Sequence, residues 1–267
     1  MTCRPSGPLR RSGARVEPEW AACYREPVDI ATLVTTPQAD ATPGAPLHVQ
    51  WLGRVAYREA WDLQKRLAAA RADGEIGDRL LLLEHPAVLT LGRHADEAHV
   101  LASRAELARR GIEVVRVERG GEVTYHGPGQ LVAYPIIALS QRGLLVRPLV
   151  RALEAAMIAT CEAFGVAAGR RDGHPGCWCE PEGPSPRKIG ALGIRVERGV
   201  SYHGIALNVD PDLADFELID PCGMPDVEST SIARELALSG ATTSAPSVEA
   251  AAGVFARSLS ASLHASG

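Results

Sequence analysis

From "LHVQWLG" onward the chain alternates between two hydrophobic periods. In "RVAYREAWDLQKRLAAARADG" the apolar positions Tyr57, Ala60, Trp61, Leu67 and Ala68 recur at helical spacing and stop at Gly74, which predicts a first helix. "RLLLLEHPAVLTLG" reads as two short apolar strands broken near His85 and Pro86. "IEVVRVERGGEVTYHGPGQLVAYPIIAL" sets β-branched strand material around a glycine-dense loop. "RPLVRALEAAMIATCEAFG" predicts the clearest helix, with Leu149, Leu153, Ala156, Met157 and Phe164 on one stripe. "RKIGALGIRVERGVSYHGIALNVD" predicts a hairpin turning at Arg198 and Gly199. A short capped helix in "STSIAREL" and a terminal helix in "SVEAAAGVFARSLSASL" complete the pattern.

Strands and helices mix here without a regular βαβ alternation. The expected fold class is therefore α/β (α+β), a single domain on a mixed sheet rather than a doubly wound parallel one. Residues 1–45, rich in Pro, Arg, Thr and Ala, carry little periodic apolar pattern and read as a disordered extension before a domain spanning 46–267. Docking of that extension onto the domain, or a start placed too far upstream, stays open.

Composition narrows the function classes. Hydrophobic residues make up 46% and aromatics only 4%, so the core is built from Leu, Val, Ile and Ala. A net charge of −4 gives no electrostatic case for nucleic acid or an anionic membrane surface. No apolar run approaches the roughly 18 residues of a membrane span, and the start lacks the apolar stretch of a secretory signal. Six cysteines in 267 residues do not make a disulfide scaffold, so a reducing cytoplasm is expected.

Three features carry candidate chemistry. The loop "RGGEVTYHGPGQ" has four glycines among Arg119, Tyr125, His126 and Gln130, which suits close approach of a ligand to backbone, yet it lacks the Walker and GxGxxG patterns. Lys188 is one of two lysines beside 26 arginines, a skew that hints at proton transfer, which arginine performs poorly; a solvated surface lysine is the alternative. Cys222 sits between Pro221 and Gly223 in a loop that presents one side chain, and its alternative is an inert buried thiol. His126 and His203 each precede a glycine, as structural or pocket-lining groups. "GHPGCWCEPEG" offers His174, Cys177, Cys179 and Glu180 as zinc ligands, but a lone C-x-C is a weak pattern, and the segment reads as a proline- and glycine-rich insert with no metal.

Taken in order, "RGGEVTYHGPGQLVAYPI", "KIGALGIRVERGVSYHGIALNVD" and "PCGM" resemble the signature segments of the lipoyl(octanoyl) transferases, the octanoyl-[acyl carrier protein]:protein N-octanoyltransferases. The likeness runs over about residues 48–240. It implies the mixed-sheet fold shared with biotin and lipoate protein ligases, and a two-step transfer. Cys222 would accept an octanoyl group from acyl carrier protein. A lysine on a lipoyl domain of a 2-oxoacid dehydrogenase or the glycine-cleavage H protein would then take it as an amide. The resemblance assigns Lys188 to lowering the cysteine pKa, and needs neither ATP nor another cofactor. It places acyl binding on Arg119, Gly120, Gly121, Glu122, Val123, Thr124, Tyr125 and His126, on Ala191, Leu192 and Gly193, and on Gly204, Ile205 and Ala206. An ATP-dependent ligase, a silent binding module and a cysteine hydrolase are the rivals to be separated by experiment.

Overall fold

The computed structural model describes residues 46–220 and 227–264. The extension before residue 46 and Cys222 lie outside the described residues.

Seven strands form the long path of the main sheet. β1 (His48–Arg54) pairs in parallel with β2 (Arg79–Glu84), and the order continues through β6 (Gln130–Ile136), β10 (Val200–Asn208), β9 (Arg187–Glu197), β8 (His174–Cys179) and β7 (Gly169–Arg171). The remaining neighbours on that path are antiparallel. The two-residue β11 (Glu228–Ser229) pairs in parallel with the start of β9, at Arg187 and Lys188. A smaller sheet has the order β4 (Glu113–Arg116), β3 (Val88–Leu91), β5 (Val123–His126). The fold is thus the expected mixed-sheet α/β domain.

β2 is apolar at four successive positions because both faces of the main sheet are covered. Successive strand side chains point to opposite faces, so Leu80 and Leu82 meet one layer while Leu81 and Leu83 meet the other. On the first face lie α3 (Val146–Ala163) and α5 (Val248–His264), through Leu149, Leu153, Met157, Phe255 and Leu259. On the second lies α1 (Tyr57–Ala72), through Ala60, Leu63 and Leu67. The small sheet packs Leu89, Leu91, Val123 and Tyr125 against α2 (Arg104–Arg110) and Leu218. The short α4 (Ile232–Leu238) starts at Ser231, whose hydroxyl accepts from the Arg234 N–H at 3.2 Å.

One segment departs from the sequence pattern. Where the sequence reads as a proline- and glycine-rich insert, His174–Cys179 is a strand with Cys177, Trp178 and Cys179 buried. Pro175 and Gly176 hid it, since each is unusual within a central strand. Gly176 has a φ of +137°, and the β8–β9 register shifts between Cys177 and Trp178.

Candidate functional site

Between the two sheets lies a cleft, partly open to solvent and lined by residues of both sheets. Its floor is the β9–β10 hairpin, whose antiparallel register sets Ala191 opposite Ala206, Leu192 opposite Ile205 and Gly193 opposite Gly204. From Lys188 to Gly193 the floor extends about 16 Å at the rise of an extended strand. The facing wall is the segment from Arg119 to His126, tied to the floor by the Gly120 N–H, which donates to the Ile194 carbonyl at 3.1 Å. Two floor glycines are required by close approach. A β-carbon on Gly193 would stand 2.6 Å from the Gly120 carbonyl oxygen, and one on Gly204 would stand 2.0 Å from that of Ala133.

Of the candidate residues, Lys188, Arg119, Gly121, Glu122, Val123, Thr124, His126, Ala191, Leu192, Gly193, Gly204, Ile205 and Ala206 all line this one cleft. Gly120 and Tyr125 do not. Tyr125 turns into the small-sheet core and donates its hydroxyl to Asp215 Oδ2 at 2.6 Å, which the alternation of β5 requires once Thr124 and His126 face the cleft. Tyr57, Gln130, Tyr134, Asn208, Phe216 and Ser229 also line the cleft. Tyr57 carried a sequence signal only as an apolar helix position and Ser229 only as part of a capped-helix segment, and Phe216 carried none.

Lys188 sits at one end of the floor, with β8 on one edge of its strand and β11 on the other. Its Nζ lies 5.3 Å from the centre of the Trp178 ring, a cation–π contact. Gly176 lies against the Gly190 carbonyl oxygen, 2.5 Å from where a β-carbon would stand, with Lys188 Cε 3.3 Å from the same point. The buried carboxylate of Glu154, on α3, holds Gly176 by accepting its N–H at 3.2 Å.

Burial dominates the electrostatics of the wall. His126 is driven down to about 3 by burial, then by the neighbouring His85 and the Arg119 cation, so it is neutral at physiological pH. Its Nδ1–H donates to Gln130 Oε1 at 2.8 Å, which leaves Nε2 as an acceptor 3.4 Å from Thr90 Oγ1. Burial likewise lowers His85 to about 4, with Nδ1 donating to the Val55 carbonyl and Nε2 accepting from the Tyr134 hydroxyl, both at 2.7 Å. His203 is only 1% exposed, has a φ of +55°, and is also held below its ordinary range by burial. Burial works against ionisation of Glu118, yet the polar contacts with His203 and Trp61 prevail and hold its carboxyl at about 2. The Trp61 indole donates to it at 3.0 Å, while His203 Nε2 stands 3.7 Å away, an electrostatic contact.

The buried cysteines form no comparable site. Burial pushes Cys179 up to about 12, and a hydrogen bond with Cys177 together with burial raises Cys161, so these two thiols stay protonated. Among the described residues no three His, Cys, Asp or Glu side chains converge as metal ligands. Nor is any helix among them long and apolar enough to cross a membrane.

Residues 56–257 match the model of the lipoyl protein ligase A/B catalytic domain. The chain belongs to that family. An octanoyltransferase of Chloroflexus aurantiacus is 53% identical over 191 residues, covering 71% of this chain and 84% of the relative. One of Acidobacterium capsulatum is 47% identical over 219 residues, covering 79% and 89%. With relatives of this kind, this family member is an acyltransferase. Solved structures of the lipoyl protein ligase fold agree in architecture. The bipartite lipoate protein ligase of Thermoplasma acidophilum, studied with its E2 lipoyl domain, superimposes with a TM-score of 0.56 at 15% identity, covering 82% of this chain and 84% of that one. A lipoate-protein ligase A bound with ATP gives 0.54 at 16% identity, covering 79% and 83%.

Proposed function

We propose that this acyltransferase moves an octanoyl group from the phosphopantetheine thioester of octanoyl-acyl carrier protein to a lysine of a lipoyl domain, through a thioester on Cys222. The observation that carries this is the gathering of Lys188 and three apolar or glycine-rich segments around one cleft, in a chain whose relatives are named octanoyltransferases.

In the first step the Cys222 thiolate attacks the donor carbonyl carbon, the bond to the pantetheine sulfur breaks, and that sulfur takes up a proton. In the second, the acceptor amine attacks the acyl-enzyme carbonyl and loses a proton, and the Cys222 sulfur departs with the bonding pair. Thioester exchange is nearly balanced and amide formation runs downhill, so a soft nucleophile that also leaves well suits the middle position. At an unperturbed pKa of about 8.5 only ~3% of a thiol is ionised at pH 7, and the Lys188 ammonium would raise that share and pass protons between thiol and amine. An extended eight-carbon chain, about 9 Å long at ordinary C–C bond lengths, is shorter than the stretch of floor from Lys188 to Gly193. Each methylene buried against Val123, Ala191, Leu192 and Ile205 contributes about 0.8 kcal/mol, so length selection by burial alone is moderate. The acceptors on this reading are lipoyl domains of 2-oxoacid dehydrogenases and of the glycine-cleavage H protein, making the reaction the first step of endogenous protein lipoylation.

Intact-mass measurement after incubation with octanoyl-acyl carrier protein tests the scheme. An octanoyl increment is expected in the parent protein and absent in Cys222→Ser and Cys222→Ala. Acylation of a lipoyl domain that required ATP and survived Cys222→Ala would replace it with ligase chemistry, and free octanoate as the main product would replace it with hydrolysis.

A further inference from the structure

Along the wall and floor of the cleft, buried polar groups hand hydrogen bonds along in one direction. Arg119 donates to Thr90 Oγ1 through Nε at 3.2 Å and Nη2 at 2.9 Å, and Thr90 Oγ1 faces His126 Nε2 at 3.4 Å. His126 Nδ1 donates to Gln130 Oε1 at 2.8 Å, and Gln130 Nε2 donates to Asn208 Oδ1 at 2.9 Å. Asn208 Nδ2 then donates to the Thr230 carbonyl at 2.9 Å, and the Thr230 N–H donates to the Lys188 carbonyl at 3.0 Å.

The direction of this chain is forced from its far end. Thr230 presents a carbonyl, so Asn208 must turn its NH2 there and its oxygen toward Gln130; Gln130 must then present NH2, which leaves its oxygen for His126, protonated on Nδ1. Asn208 is 4% exposed and Thr230 is fully buried, so a mismatch at this joint leaves a polar atom without water. The joint matters because β11 is only two residues long and has little stability of its own. It nevertheless forms one border of Lys188, pairing Ser229 with it.

We infer that Asn208 is a positioning residue for Lys188: through Thr230 it anchors the short strand bordering the lysine, and so sets where the ammonium stands in the cleft. This rests on the role proposed above for Lys188. Asn208→Asp keeps the shape and the oxygen facing Gln130 but puts a second oxygen against the Thr230 carbonyl. Gln130→Glu reaches the same end differently, since a carboxylate facing Asn208 draws its amide round and again leaves oxygen against oxygen.

The chain's two lysines make the test clean. Labelling with [1-13C]lysine gives two backbone carbonyl signals, and Lys65→Arg assigns them. In both Asn208→Asp and Gln130→Glu the Lys188 signal should move and the Lys65 signal stay. The kcat of octanoyl transfer should fall roughly ten- to hundred-fold, as for a slightly misplaced group, with KM for the donor near the parent value. A raised KM with kcat kept, or lost activity with an unmoved Lys188 signal, would assign Asn208 to substrate contact and overturn the inference. Unfolding of both variants below the assay temperature would also overturn it, because the chain would then be a requirement for folding. Lys188→Ala, measured alongside, separates the two levels: full turnover there removes the proposed role of Lys188, while the carbonyl signals still decide whether Asn208 anchors its border.

Discussion

Lys188 shows how much of a site a single residue can disclose. Its rarity in an arginine-rich chain singled it out, but its setting, with the Trp178 ring 5.3 Å from Nζ and Gly176 beside its stem, came from a strand that composition disguised. If the side chain moves protons, charge alone does not replace it, because arginine does not release a proton at accessible pH. Lys188→Arg is therefore expected to lose roughly 100-fold or more of kcat for transfer to a lipoyl domain, with the thermal midpoint little changed. Turnover close to that of the parent protein would leave the residue an electrostatic role only. Tyr125 shows the opposite limit. It stands within the same run of sequence as Thr124 and His126, yet strand alternation sends it to Asp215 and the core.

At the scale of elements, periodicity was most informative where an element has one buried face. The stripe on α3 lies against the main sheet with Leu149, Leu153 and Met157 fully buried. Leu153→Ala should cost about 2–5 kcal/mol, read as a lower denaturant midpoint with an unchanged slope. A cost well below about 1 kcal/mol would mean that α3 does not carry the first face of the sheet. Ion pairing between elements left no such trace. Asp78 accepts from Arg71 Nε at 2.7 Å and from the Ala138 N–H at 2.9 Å, and also binds Arg142, which joins the end of α1 to the segment that follows β6. Residues 60 or more positions apart in sequence meet there, and no local pattern announces them.

For the whole molecule, burial of neutral histidines ties stability to pH. His126 and His85 titrate near 3 and 4 in the folded state and near 6.5 when unfolded, so the unfolded chain binds more protons as the pH falls. Their contribution is complete above about pH 6.5 and is lost progressively below it. The urea midpoint should accordingly drop between pH 7.5 and 5, before most carboxylates protonate; a flat midpoint over that range would mean that the two rings are not buried as neutral groups. The sequence by itself determined the mixed α/β class, the striped helices, the β9–β10 hairpin and the residue types available for acyl transfer, because periodicity and glycine placement are local properties. Only the tertiary structure decided that residues 119–126, the β9–β10 hairpin and Lys188 share one cleft, that "GHPGCWC" is a strand bordering the lysine, and that Asn208 reaches Thr230. Those relations depend on sheet order and register, which join distant segments through backbone pairing and leave no mark on the spacing of residues along the chain.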